Sequence, residues 1–347
     1  MAMIELSIRI LLTITVLMFA LLLVVIAYLM LKRGLEVSRN KKKMKYIETK
    51  QKEWYSYLIE DREPSSTLIP NNESEVKAVE EIFSSYLYNI SDSEILAKMK
   101  FFSNNYLKEY YRSRIRSHRW STRMNALYHI FDFQMDELVE ECEQLEIKKL
   151  TLQEQVQLLK IYSICHKEVF ITKLLQCPTT LTEYEYKKVL YRLDPTVLEQ
   201  LIVRMDDLPL ECQYSLIDIL GVKREPQYLS FLESCLHNDD AEIRIRTLKA
   251  IFEIGIITDL DKYLPFITSQ IWEERLMMAK LLGALPISIT SSYLQELLED
   301  ENWWVRTQAA KSIGRNKDGK IVLQSYINSS NDRYAIEMAN QVLGKES

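Results

Sequence analysis

Glycine and proline are scarce in this sequence, with 7 and 8 residues in 347. That excludes collagen-like, loop-dominated and many-turned β architectures, and favours long helices joined by short connections. Histidine is scarcer still. His118, His129, His166 and His237 are the only four, and none is followed by glutamate, which removes His-Glu metal pairs. No G-x-S-x-G, H-E-x-x-H, P-loop or G-x-G-x-x-G occurs, so the main nucleophile, zinc and nucleotide signatures are missing. The five cysteines are an odd number without a C-x-x-C pair, as expected of buried free thiols in a reducing compartment. Cys165 and His166 are adjacent, but neighbouring helical residues do not face each other. Asp259-x-Asp261 falls in a short connection where acids are ordinary caps. The expectation is a chain without catalytic residues, cofactor or metal.

Charge is unevenly divided. The formal net charge of −5 splits into +6 over residues 1–50 and −11 over the remainder. An acidic body disfavours nucleic acid as a partner. The one long apolar run, Ile10 to Leu31, carries no charge at all. As a helix it reaches about 33 Å, enough to cross a hydrocarbon core of about 30 Å. It is longer than the apolar core of a signal peptide and has no small-residue cleavage site before Lys32 and Arg33. It therefore reads as an uncleaved, single-pass membrane anchor. Seven basic residues follow between Lys32 and Lys45, among them Arg33, Lys41, Lys42 and Lys43. By the positive-inside rule this side faces the cytoplasm, with residues 1–9 outside. Lys32, Arg33, Lys41, Lys42 and Lys43 are also candidates for contact with anionic lipid.

Beyond the span, residues 32–60 form a basic, amphipathic juxtamembrane segment. Tyr46, Trp54, Tyr55 and Leu58 supply its apolar face, and it either continues the membrane helix or lies along the headgroups. Residues 61–73, with Pro64, Ser65, Ser66 and Pro70, are the most linker-like stretch. From residue 74 to 347 apolar residues recur at three- and four-residue spacing, as in Val76, Val79, Ile82, Phe83 and Tyr86. The soluble part is expected to be all-α. Within it, residues 108–123 carry a net +5, interleaved with Tyr110, Tyr111 and Trp120. This segment is either a solvated helix face or a contact surface for acidic lipid or an acidic partner. Arg112, Arg116 and Trp120 are its candidate contacts.

The carboxy-terminal third repeats. Ile243-x-x-Arg246, Trp272-x-x-Arg275 and Trp303-x-x-Arg306 recur at nearly even spacing, and each arginine is followed four positions later by Ala250, Ala279 or Ala310. Gly255, Gly283 and Gly314 close the same helices, where a left-handed cap residue is expected. Acidic pairs, Asp239-Asp240 and Glu299-Asp300, open two of them. A period of roughly 30 with two helices per unit is a solenoid signature. The pattern resembles HEAT repeats of the short bacterial type, most clearly over 237–344, with Trp120-x-x-Arg123 similar to a further unit. The resemblance implies an α-solenoid in which Arg246, Arg275, Arg306, Trp272 and Trp303 are structural. Trp304 points about 100° away from Trp303 on a helix, which leaves it partly exposed as a partner anchor.

These features describe a non-catalytic, membrane-anchored adaptor that binds another, membrane-associated protein through the solenoid surface. The alternative is an accessory subunit of a membrane enzyme, such as a polysaccharide-synthesising glycosyltransferase. A hydrolase or lyase on the same fold is the reading from a different class, and a deep polar pocket gathering acidic groups and histidine would favour it. Topology is directly testable. A cysteine placed in the 61–73 linker should stay unlabelled by an impermeant thiol reagent in intact cells, and labelling there would reverse the orientation.

Overall fold

The computed structural model describes residues 8–89, 92–145, 150–177 and 181–344. Among these residues all regular structure is helical. They divide into two compact units that meet in sequence between His166 and Lys167. The first contains α1 (Ile8–Leu58), α2 (Glu73–Asn89), α3 (Ser93–Phe102), α4 (Lys108–Ile115), α5 (Trp120–Asp132), α6 (Val139–Leu145) and α7 (Leu152–Cys165). A π-helical turn, Ser103–Leu107, joins α3 to α4.

Helix α1 runs unbroken for 51 residues, about 76 Å. Every residue from Ile10 to Lys42 is exposed. The juxtamembrane segment therefore continues the apolar helix, and its last turns are core. Trp54 lies edge-on to Phe83 of α2 and Phe102 of α3, with ring centroids 5.2 and 4.9 Å away, and Phe83 meets Phe133 at 5.2 Å. Tyr46 donates to the Leu68 carbonyl at 2.6 Å and Tyr57 to the Lys98 carbonyl at 2.7 Å. Edge-to-face rings and satisfied hydroxyls hold α1 in one geometry against its neighbours.

The second unit comprises α8 (Lys167–Leu175), α9 (Glu183–Leu190), α10 (Pro195–Val203), α11 (Leu210–Lys223), α12 (Leu229–Cys235), α13 (Ala241–Ile254), α14 (Trp272–Leu282), α15 (Ile287–Leu298), α16 (Trp303–Arg315), α17 (Gly319–Ser329) and α18 (Arg333–Gly344). Helices α9, α11, α13, α14, α16 and α18 pack successively in one row. Between α13 and α14 the connecting helix is replaced by two 3₁₀ turns, Leu260–Lys262 and Leu264–Thr268. They are anchored by the fully buried Tyr263, which donates to Glu233 at 2.8 Å.

The arginine repeat is real, but its register differs from the one expected. Arg123, Arg244, Arg275 and Arg306 each stand at the fourth position of a helix. Each turns Nη1 back to a carbonyl six residues earlier, on Ser117, Asn238, Ser269 and Asp300 at 2.7–2.9 Å. The equivalent of Arg275 is thus Arg244, which makes the spacings from Arg244 to Arg275 and from Arg275 to Arg306 equal. Arg246, two positions later, faces the preceding helices. It pairs with Glu183 of α9 and Asp218 of α11, both at 2.8 Å, and with Glu242 at 2.6 Å.

The forward bonds link successive helices. Arg123 Nε reaches Glu154 at 2.8 Å, and Arg244 Nε reaches Glu274 at 2.7 Å. Both acids are the third residue of the next helix and are buried. Arg275 instead grips Asp300 with two bonds, at 2.5 and 2.9 Å. Burial alone would raise the Glu154 carboxyl, but Arg123 and the Thr151 cap outweigh it and hold the group below the ordinary range. At the last step Ala335 occupies the third position of α18, and Arg306 Nε is buried without a partner among the described residues.

The glycines also have a different role from the one expected. Only Gly255 is left-handed among the glycines of the described residues, with φ 76°. Gly283 ends α14 with φ −68°, and Gly314 lies inside α16. A β-carbon on Gly283 would come within 2.5 Å of Ser312, and one on Gly221 within 2.8 Å of the Ala250 backbone. Gly314 is similarly closed by Val342. Glycine is needed at these points because the next helix of the row crosses there, not because the chain turns.

The placement of Trp303 differs from the expected one as well. Trp120, Trp272 and Trp303 are the first residues of their helices. From that position the side chain lies at the helix margin, and Trp303 is 45% exposed rather than buried between helices. Removing a forward carboxylate should be costly. Glu274→Ala strands the largely buried Arg244 guanidinium and is expected to cost about 3–5 kcal/mol, measured by urea unfolding. Arg306→Met, where Nε has no acid to lose, should cost less than half as much in the same assay.

Candidate functional site

Helix α16 carries Arg306, Lys311 and Arg315 and no acidic residue. Its packing against α18 leaves a groove of about 280 Å³. Trp303, Ala310, Gly314, Met338 and Val342 supply its apolar lining, Lys311 and Arg315 its charge, and no acidic side chain among the described residues lines it. At its head Trp303 and Trp304 meet edge-on, with centroids 4.7 Å apart. Trp304 is 59% exposed and Tyr334 65%. The Arg306 guanidinium lies over the Tyr334 ring, 5.4 Å from its centre, an arrangement that attracts a cation to the ring face. An apolar floor with a cationic edge suits a segment that is itself apolar on one side and acidic on the other.

The remaining candidates lie in the first unit. Trp120 is exposed and donates from Nε1 to Thr151 at 3.0 Å. Arg112 is half-buried, with Nε on Glu141 at 2.6 Å and a second contact to Glu109. Arg116 is exposed. Lys32, Arg33, Lys41 and Lys42 are exposed along α1, whereas Lys43 turns toward α2 and pairs with Glu81 at 2.6 Å. Asp259 accepts from the Asp261 amide at 3.1 Å, as a cap. Cys142, Cys212 and Cys235 are buried. Burial pushes the Cys212 thiol up to about 12.

One polar cluster is invisible in the sequence. Glu80 of α2 is buried at 5% exposure. Its carboxylate accepts from Tyr111 at 2.9 Å, pairs with Lys77 at 2.6 Å and lies 3.4 Å from His129 Nε2. The imidazole stacks on Phe133, and its Nδ1 is buried without a partner among the described residues. These groups border a cavity of about 210 Å³ that also touches Glu73, Arg114 and Asn125. Glu80 sits at the edge of an apolar stripe, next to Val79, and reads from sequence as part of a solvated face. Both carboxylates at this cavity are held by cations, Glu80 by Lys77 and Glu73 by Arg114. The cluster therefore ties α2, α4 and α5 together.

Comparison with known proteins bears on α15 and α16. Residues 292–315 match the model of the HEAT repeat. Helices α15 and α16 form a HEAT-like repeat. The match ends at Arg315, on the edge of the α16–α18 groove, so this repeat contributes the groove's tryptophan and both its cations. An engineered protein of known crystal structure is similar at 14% identity and a TM-score of 0.33, over 81% of this chain and 83% of that one. No curated protein matches the sequence.

The His129 cluster has a pH signature. Burial lowers the imidazole below its ordinary range, with Glu80 opposing. The unfolded chain then takes up a proton below about pH 6.5 that the folded chain resists. This contribution is complete above that pH and is lost as pH falls through the window beneath it. His129→Asn should flatten that part of a stability–pH profile from urea unfolding between about pH 7 and 5.

Proposed function

We propose that this protein is a membrane-anchored scaffold that docks another protein at the cytoplasmic face through the HEAT-like helices of its second unit. The observation that carries the reading is the continuity of α1. Residues Ile10 to Leu31 are apolar and exposed, as a lipid-embedded anchor requires, while Trp54, Tyr57 and Leu58 at the far end of α1 are core. Anchor and first unit are then one piece, with no flexible tether between them. The helical repeat supports a docking role, because stacked helix pairs present an extended surface built for contact. Membrane residence raises the effective concentration of any partner confined to the same bilayer.

The α16–α18 groove supports a partner segment with an apolar face and acidic residues, read by Trp303, Trp304, Lys311 and Arg315. The basic flank from Lys32 to Lys45 supports the cytoplasmic orientation. A partner that is itself a membrane enzyme would make this protein its accessory subunit, with the same surface in use.

Crosslinked capture of the full chain from mild detergent tests the reading. It should recover one stoichiometric partner, and Lys311→Glu with Arg315→Glu should reduce recovery at least about tenfold, the scale of two interfacial charges reversed. Undiminished recovery would move docking away from the groove. A catalytic activity intact in the purified chain would overturn the non-enzymatic reading.

A further inference from the structure

We propose that the first unit has a second membrane contact, in which the α4–α5 turn with Arg116 and Arg119 binds anionic lipid headgroups beside the basic flank of α1. This rests on reading α1 as a membrane anchor, and it follows from the directions in which the helices run.

Helices α1 and α2 run the same way. Glu36, Arg39, Asn40 and Lys43 of α1 face Glu73 and Lys77, at the start of α2, across a cleft of about 620 Å³. Further along, Lys43 meets Glu81, and Trp54 meets Phe83. The first turn of α2 therefore lies level with residues 36–43, about 8–18 Å beyond the end of the apolar run at Leu31. Helix α4 runs back along α2. Tyr111 bonds to Glu80, and three residues later Arg114 bonds to Glu73, at 2.9 and 2.8 Å. The chain leaves α4 heading toward the end of the unit from which the apolar helix emerges.

The turn that follows is Arg116-Ser117-His118-Arg119, and Arg116, His118 and Arg119 are exposed. Trp120 comes next, its ring exposed as interfacial tryptophans are. Two basic clusters far apart in sequence thus share one end of the unit: Lys32, Arg33, Arg39, Lys41 and Lys42 on α1, and Arg116 and Arg119 on the turn. Among the described residues the acids on this side are Glu36, Glu73 and Glu75. Arg114 engages Glu73, and Glu75 accepts from Asn71 and Asn72. The headgroup layer extends about 5–8 Å past the hydrocarbon edge, and an arginine side chain spans much of the remaining gap. The ordinary tilt of a membrane helix, about 20°, lowers one side of the unit further. Charge sign, proximity and an interfacial aromatic together favour lipid over an acidic protein as the occupant.

The test uses the full chain in nanodiscs of phosphatidylcholine alone or mixed with phosphatidylglycerol, read by amide hydrogen exchange over residues 116–120. Exchange should be roughly fivefold slower in the anionic discs, the effect of one basic residue held at a charged surface. High salt should erase the difference, and so should Arg116→Gln with Arg119→Gln, whose exposed side chains leave the fold intact. Equal exchange in both lipids, with the chain still in the discs, overturns this contact and leaves the anchor standing. Failure of the chain to stay in discs of either lipid overturns the anchor and the contact together. Protection that arises only on adding an acidic protein overturns the lipid assignment in favour of a protein one.

Discussion

A guanidinium buried near the start of a helix must be satisfied on several sides at once, and the way this chain does so sets its spacing. Nη1 takes a carbonyl of the loop that precedes its own helix. Nε takes a carboxylate at, or just before, the start of the next helix in the row. Arginine alone supports this, because its planar fork presents donors in fixed directions and stays charged when buried. Each forward bond closes a loop of one repeat. The distance from one helix start to the next is therefore constrained by a side chain as well as by apolar packing.

Close backbone crossings accompany that spacing. Where α13 packs on α11 the backbones approach closely, and Gly221 meets Ala250 there. Gly283 stands against Ser312 in the same way. The last crossing is close as well, with Gly314 against Val342. There Ala335 stands in the place of the acid, and Arg306 leans on Tyr334.

Much of this is legible in the residues. Helical periodicity and the shortage of glycine and proline point to an all-helical chain, and the recurring Trp-x-x-Arg marks Arg123, Arg275 and Arg306, which share one position at their helix starts. The register fails at Ile243-Arg244-Ile245-Arg246, where two arginines flank one apolar residue and only the loop carbonyl, a backbone group, decides between them. The glycines mislead because a glycine that ends a helix and one that admits a neighbouring helix look alike in sequence. Trp303 reads as core by analogy with other large apolar residues, although the first helical position points its side chain to the margin. The Glu80, Tyr111 and His129 cluster has no signal at all. Its members lie on three helices, and each taken singly reads from the sequence as an ordinary surface residue.

The same limitation explains the two basic clusters. Sequence separates residues 32–45 from 108–123 by a linker and two helices, so each is weighed alone and each is ambiguous. Two ion pairs remove the ambiguity. Lys43 with Glu81 places α2 alongside α1, and Arg114 with Glu73 fixes the end of α4 at the start of α2. These bridges are partly exposed and contribute little to stability individually. Their consequence is geometric. They orient the turn after α4 toward the side of the unit where the apolar helix leaves it, and this gathers charges of one sign from distant parts of the chain. Such a surface repels itself, and a counter-charge beyond the protein relieves that repulsion more effectively the more firmly the fold holds the two clusters together.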